Sequence, residues 1–324
     1  MKLSIVSTLY RSAPSVAEFH RRAMAAGEAM AEEVELILVD DGSPDDSLER
    51  ALALREQDPR VVVVELSRNF GHHKAMMTGL AHAQGELVFL IDCDLEEAPE
   101  LLGKFHALML AGDWDVVYGV QAIRRGGAFE RASGAAFFSI VNVLSDQPVP
   151  RNVVTARLMR LDYVRALVAH QDQAFQISHL WAITGFRQTA MEIEKLALSP
   201  TTYSLRRRID MAIKHVTTTS TKLLYLILAF GAGICVLAVL TTGFFIIRYL
   251  THGVGVGGWT SLIVSVWFFG GTTVLILGIL GIYIANILAE TKHRPYTVIR
   301  RVYRPQIEAR PRATALSASE RVGP

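Results

Sequence analysis

Two uncharged apolar runs, residues 223–247 and 262–288, lie close together in the last third of this chain. Each exceeds the roughly 20 apolar residues that span a hydrocarbon core of about 30 Å. In lipid a backbone must satisfy its own polar groups, so both runs are predicted to be transmembrane helices. Arg206, Arg207, Arg208, Lys214 and Lys222 precede the pair, Lys292, Arg294, Arg300, Arg301 and Arg304 follow it, and the connector 251–259 holds neither Lys nor Arg. Positive charge gathers on the cytoplasmic side, so the runs form a hairpin with both flanks cytoplasmic. Tyr225, Tyr249, Trp259 and Tyr283 fall near the ends, where amphipathic rings favour the headgroup layer. Two long core helices of a soluble protein are the plainer alternative, and run length and flanking charge argue against it.

The remainder of the 324 residues suffices for one soluble domain of about 200 residues. A formal net charge of +2 gives no reason to expect nucleic acid as a partner. The basic residues instead crowd the membrane ends, where an anionic or phosphorylated lipid is attracted. The cysteines, Cys93 and Cys235, form no disulfide framework, which fits a reducing cytoplasm. The N-terminal residues read as a strand rather than a secretory signal, leaving the first apolar run to direct insertion.

Ahead of the runs, short apolar strands alternate with helical stretches. Leu3-Ser4-Ile5-Val6-Ser7, Leu36-Ile37-Leu38-Val39, Val61–Leu66 and residues 87–91 read as strands, with helices over 15–30, 46–57 and 75–83 between them. Such βα alternation predicts an open, Rossmann-like parallel sheet with right-handed crossovers and a ligand at the carboxyl ends of its strands. Asp40-Asp41, Asn69-Phe70-Gly71 and Asp92-Cys93-Asp94 all follow strands, so they should converge on one crevice.

Two carboxylates one residue apart can share a hard cation, and Mg²⁺ commonly combines one or two carboxylates with substrate phosphates and water. Alone, Asp-x-Asp is more often a solvated turn. Joined to Val39-Asp40-Asp41-Gly42-Ser43 at the end of another strand, it favours a nucleotide diphosphate, whose base N–H and ribose hydroxyls those carboxylates can accept.

At this point the chain resembles glycosyltransferase family 2, in particular the polyprenyl-phosphate glycosyltransferases that include dolichol-phosphate mannose synthase and the bactoprenol glucosyltransferases. The resemblance covers nearly the whole chain. It runs through Val39-Asp40-Asp41-Gly42-Ser43, Ser67-Arg68-Asn69-Phe70-Gly71-His72, Asp92-Cys93-Asp94-Leu95-Glu96-Glu97-Ala98-Pro99-Glu100, Val116-Val117-Tyr118-Gly119, Gly185-Phe186-Arg187-Gln188, Tyr203-Ser204-Leu205-Arg206 and both apolar runs. It implies a GT-A domain over residues 1–200, a juxtamembrane amphipathic helix over 201–222, two transmembrane helices over 223–290 and a basic cytoplasmic tail over 291–324. It also implies inverting transfer of one sugar from a nucleotide diphosphate, UDP favoured over GDP, to undecaprenyl phosphate at the inner membrane of a bacterium, with Mg²⁺ or Mn²⁺ and a homo-oligomeric, tetrameric assembly.

By position, the resemblance assigns the nucleotide sugar to Thr8, Tyr10, Asp41, Ser43, Asn69, Gly71, Lys74, Asp92 and Arg206, and the metal to Asp92, Asp94 and Glu96. Glu96 stands where relatives commonly carry Gln. Many relatives also have an acid in an Asp-x-Gly-Asp-Phe-Arg-Leu-like stretch, where this chain reads Asn152-Val153-Val154-Thr155-Ala156-Arg157-Leu158. A phosphate monoester, with a second pKa near 6, is largely ionised at neutral pH and needs orientation more than a base. Asn152 and Thr155 therefore join Asp92 and Asp94 as catalytic candidates. An Arg that commonly follows Tyr-Gly-Val is also missing, which leaves Arg124, Arg125, Arg131 and Arg157 as candidates for the acceptor phosphate.

Residues 128–144, apolar and small side chains next to a basic group, and 203–215, where apolar and basic side chains interleave, read as interfacial helices, with a buried core helix as the equal alternative for the first. His72-His73 reads as helix-start hydrogen bonding rather than a metal site, and residues 309–324 as a flexible tail. Two other functions remain open: a family 2 transferase that extends a saccharide, disfavoured because a hydroxyl acceptor needs a base, and a catalytically silent nucleotide-sugar-binding scaffold. Retained Asp92 and Asp94 weigh against silence.

Overall fold

The computed structural model describes residues 1–121, 152–173, 175–194, 222–252 and 258–304. Arg124, Arg125, Arg131, Arg206, the stretches 128–144 and 203–215, and the tail from 305 onward lie outside these residues. The chain begins β1 (Lys2–Leu9), α1 (Val16–Glu28), β2 (Glu33–Asp40), α2 (Ser47–Gln57), β3 (Val61–Leu66), α3 (His72–His82), β4 (Leu87–Leu90) and α4 (Leu101–Gly112). There follow β5 (Val116–Gln121), β6 (Val153–Arg160), α5 (Leu161–Val168), α6 (Ile177–Ile183), β7 (Gln188–Ile193), α7 (Lys222–His252), α8 (Trp259–Thr291) and β8 (Ile299–Tyr303).

The strands form one sheet in the order β7-β5-β6-β4-β1-β2-β3-β8. β3, β2, β1 and β4 are mutually parallel, as the alternation predicts. The sheet as a whole is mixed rather than parallel, because β6 runs antiparallel between β4 and β5 and β8 runs antiparallel along β3. Helices cover both faces, which is why the central strands read as continuous apolar runs. α1, α2 and α4 supply Phe19, Ala51 and Phe105 to one face; α3, α5 and α6 supply Met77, Tyr163 and Trp181 to the other. Strand order reverses at β1, between β2 and β4, and an open α/β sheet gathers ligands at such a switch point.

The two apolar runs lie within α7 and α8, of 31 and 33 residues. The segment Ser265–Thr291 of α8 is long and apolar enough to cross a membrane, with mean hydropathy 2.1 and none of it buried. The stretch expected to begin a tail returns to the domain instead. β8 pairs with β3 through Val64↔Val302 and Leu66↔Ile299, and the Ser67 N–H donates to the Val298 carbonyl at 2.8 Å. Arg300 and Tyr303 both donate to the Glu65 carboxylate, at 3.1 and 2.9 Å. Nearer α8, the Gln173 N–H donates to Glu290 at 2.9 Å, and the Thr297 and Thr78 hydroxyls are 2.8 Å apart.

Candidate active site

The ends of β1 and β4 are joined by a side chain from α3. His72 Nδ1 hydrogen-bonds Thr8 Oγ1 at 2.9 Å, and its Nε2 lies 3.3 Å from Asp92 Oδ1. Burial opposes charge on this imidazole, but the hydrogen bond to Asp92 and the charges of Asp92, Asp41 and Asp94 outweigh it and raise its pKa. Tyr10, just past β1, is 47% exposed, with the Arg11 guanidinium carbon 5.7 Å from its ring centroid. An exposed ring at a crevice edge offers a face on which a base can stack.

The turn after β2 is laced to its neighbours. The Asp41 carboxylate, nearly fully buried, accepts the N–H groups of Phe70 and Gly71 at 2.7 and 3.0 Å, so it braces the turn after β3. Gly42 has φ +61°, and a Cβ there would lie 2.6 Å from the main chain of Arg68 and Asn69; only glycine permits that approach. Ser43 Oγ accepts the Arg11 N–H at 2.7 Å, and Asp45 accepts the hydroxyls of Ser43 and Ser47 at 2.5 and 2.6 Å. Burial pushes Asp45 up, but those hydroxyls and the N–H groups of Ala13 and Ser47 prevail and hold its carboxyl at about 2.

Asp40 behaves oppositely. Burial pushes its carboxyl from 3.8 to about 6 against the N–H groups of Ser43 and Gly42, with Glu65 and Asp41 adding like charge. A carboxyl whose folded pKa is raised destabilises the fold when ionised; this penalty is complete above pH 6 and is relieved as pH falls toward the unfolded value. Asp40→Asn is therefore expected to stabilise the protein at pH 7.5, by no more than about 3 kcal/mol, with the gain vanishing below about pH 4. Thermal unfolding at the two pH values checks this, and a lower unfolding temperature at pH 7.5 would refute it.

After β4 the chain turns through Asp92, Cys93 and Asp94. The Asp94 carboxylate accepts the Glu96 N–H at 2.9 Å, and Leu95 takes φ +62°. Cys93 is buried, its thiol pushed up to about 12, so it packs rather than reacts. Thr155 and Asn152 lie at the start of β6, where the Asn152 carbonyl accepts the Gln121 N–H at 2.9 Å. Arg157, grouped above with the acceptor contacts, is interior: it is 1% exposed and packs against the Trp181 ring in the wall of a cavity of about 230 Å³ shared with Tyr118 and Phe186. Burial pulls its guanidinium down to about 9.

The model of glycosyl transferase family 2 matches residues 4–168, from β1 through α5. The chain belongs to glycosyl transferase family 2. A glycosyltransferase of Mycobacterium tuberculosis is 47% identical over 94% of this chain and 89% of its own. One of Bacillus subtilis is 34% identical over 94% of each. A prophage bactoprenol glucosyl transferase homolog of Escherichia coli is 28% identical over 93% of this chain and 99% of its own.

In this family 2 transferase, Thr8, Asp41, Gly71 and Asp92 come together around the β1–β4 switch point, Ser43 lies in the turn beside them, and Lys74 stands in the first turn of α3. Among the described residues no group of three or more His, Cys, Asp or Glu is arranged to hold a metal ion. Asp92 and exposed Asp94 still offer the hard-oxygen pair that a cation shared with a diphosphate requires, whereas Glu96 is buried. Sequence reasoning missed His72 as the link between Thr8 and Asp92: an imidazole in the first turn of a helix carries no signal of the strand ends it reaches. Asp45 was also missed, although the spacing Ser43, Asp45, Ser47 is that of a self-capping turn.

Proposed function

We propose that this glycosyltransferase moves a single sugar, with inversion at the anomeric carbon, from a UDP-sugar to undecaprenyl phosphate at the cytoplasmic face of a bacterial plasma membrane. One observation carries the reading: exposed Tyr10, Thr8 and the Asp41–Ser43 turn lie at the same strand ends as the Asp92 and Asp94 carboxylates, with His72 bridging Thr8 and Asp92 at the switch point. Its supporting context is a chain that aligns over nearly its full length with relatives named bactoprenol glucosyl transferase, from Escherichia coli and from Shigella phage SfV.

Tyr10 stacks on the base, and Thr8 and the Ser43 turn border the ribose. Asp92 and Asp94 would hold Mg²⁺ or Mn²⁺, which would supply charge neutralisation of the leaving diphosphate when bound. An acceptor phosphate oxygen bonds to the anomeric carbon as the carbon–oxygen bond to the diphosphate breaks, its electron pair leaving with the diphosphate. That oxygen is already ionised, its second pKa lying near 6. Asn152 and Thr155 therefore need only orient it, which accounts for activity without the acid that relatives carry. Arg124, Arg125 and Arg131 receive the acceptor phosphate, and Arg206 the donor diphosphate.

α7 and α8 are read as a transmembrane hairpin joining the catalytic domain at both ends. The support is β8: residues before α7 and after α8 belong to one sheet, so an even number of crossings returns the chain to the same side. A homo-oligomer is part of this reading and rests on family resemblance. Transfer from labelled UDP- and GDP-sugars to undecaprenyl phosphate by the purified protein, with Mg²⁺, Mn²⁺ or chelator, tests it. A chelator-sensitive lipid-linked sugar is expected; no product from any donor, despite nucleotide binding, would overturn it.

A further inference from the structure

β6 is irregular beside the site. Tyr118 faces Arg157 and Val120 faces Val153, so residues 154–156 bulge opposite Gly119 alone. Gly119 makes the room: a Cβ there would stand 2.7 Å from Val154 and 2.9 Å from Ile193. A bulge leaves main-chain groups without ladder partners and re-aims its strand, and bulges recur next to active sites. Here Glu97, fully buried in the loop after β4, accepts the Thr155 N–H at 3.3 Å and the Ala156 N–H at 2.8 Å. The last β4–β6 pair is Leu90↔Arg157, and Asp92 and Thr155 each lie two residues beyond it toward the same end of the sheet. Where the ladder stops, a carboxylate takes its place.

We propose that Glu97 is a positioning residue: it locks the β6 bulge to the Asp92–Asp94 turn, so that Thr155 and an acceptor stay aligned with the donor diphosphate. This deepens, and rests on, the transfer reading above. The same carboxylate ties the donor half of the site to the acceptor half, so a change there should separate turnover from donor binding. Displacing Thr155 or the acceptor by about 1 Å would cost on the order of 10²-fold in rate.

The test compares full-length wild type with Glu97→Gln and Glu97→Ala. Glu97→Gln keeps the shape and one acceptor oxygen, and so guards against a Glu97→Ala chain that fails to fold. Three measurements are made: hydrogen exchange at Thr155 and Ala156, UDP affinity with Mn²⁺, and transfer to undecaprenyl phosphate. Glu97→Gln should speed exchange at those amides and lower kcat by roughly 10²-fold, while UDP affinity and the donor KM stay within about threefold, because alignment is not ground-state binding. Unchanged exchange, unchanged kcat, or UDP affinity falling in step with kcat would each overturn the proposal. Faster exchange in a protein whose wild type transfers nothing would uphold the clamp and sink the transfer reading instead.

Discussion

Asp94→Ala and Asp94→Asn are both expected to lower the rate of sugar transfer by about 10³-fold or more, the scale on which removing a charge stabiliser from a leaving diphosphate acts. The pair of variants separates two roles of one side chain. The Asp94 carboxylate accepts the Glu96 N–H at 2.9 Å and so holds the turn, while the residue is exposed and its charge is open to a ligand. Asn keeps an oxygen able to accept that N–H but carries no charge. Both variants should unfold within about 0.5 kcal/mol of wild type for Asn and slightly below it for Ala, since surface changes away from the core are small. Initial rates of labelled-sugar incorporation and thermal melts decide the matter. An Asn variant that transfers like wild type would make Asp94 a turn residue and move the diphosphate elsewhere.

How much of this was legible beforehand follows from how local each feature is. Val61–Leu66 reads as a strand because all of it but Glu65 is apolar and its first four residues are β-branched valines, and it forms β3 with those bounds. The convergence of Asp41, Gly71 and Asp92 is equally legible, since parallel strands oblige their carboxyl ends to meet. By contrast, β8 lies in Ile299-Arg300-Arg301-Val302-Tyr303, whose arginines read as a basic tail; its pairing with β3 closes a loop across 235 positions, and nothing local announces it. His72 and Glu97 were hidden for the same reason. Each lies inside a stretch through which the resemblance runs, and His72 reads there only as helix-start hydrogen bonding; each role is defined by partners on other strands, Thr8 and Asp92 for one, Thr155 and Ala156 for the other. Arg157 shows the limit from the opposite side: a basic residue near a site suggests a phosphate contact, while the β6 register places it on the face covered by α6, where Trp181 packs on it.

Replacing Ile299–Tyr303 by a Gly/Ser stretch of equal length is expected to destabilise the domain by on the order of 3 kcal/mol and to weaken UDP binding. The stability term has three sources. Val302 and Tyr303 leave the two apolar clusters they pack against, and burying one such side chain contributes about 1.5–3 kcal/mol when complete, less here because both are only partly covered. Glu65, 9% exposed, loses Arg300 and Tyr303 together, and a buried carboxylate without partners is costly. β3 becomes an uncovered edge, a template for pairing with other chains. The binding term follows from where β3 leads. It runs into Ser67 to Gly71, the Ser67 N–H is anchored on Val298 next to β8, and the N–H groups of Phe70 and Gly71 hold Asp41 in place. Slack at the edge strand should therefore reach the nucleotide site through β3 and the turn after it. Unfolding temperature in detergent and UDP affinity are the readouts. If both match wild type, the strand is an appendage and the donor turn is braced by Asp41 alone; if stability falls while UDP affinity holds, the edge closes the fold without tuning the site.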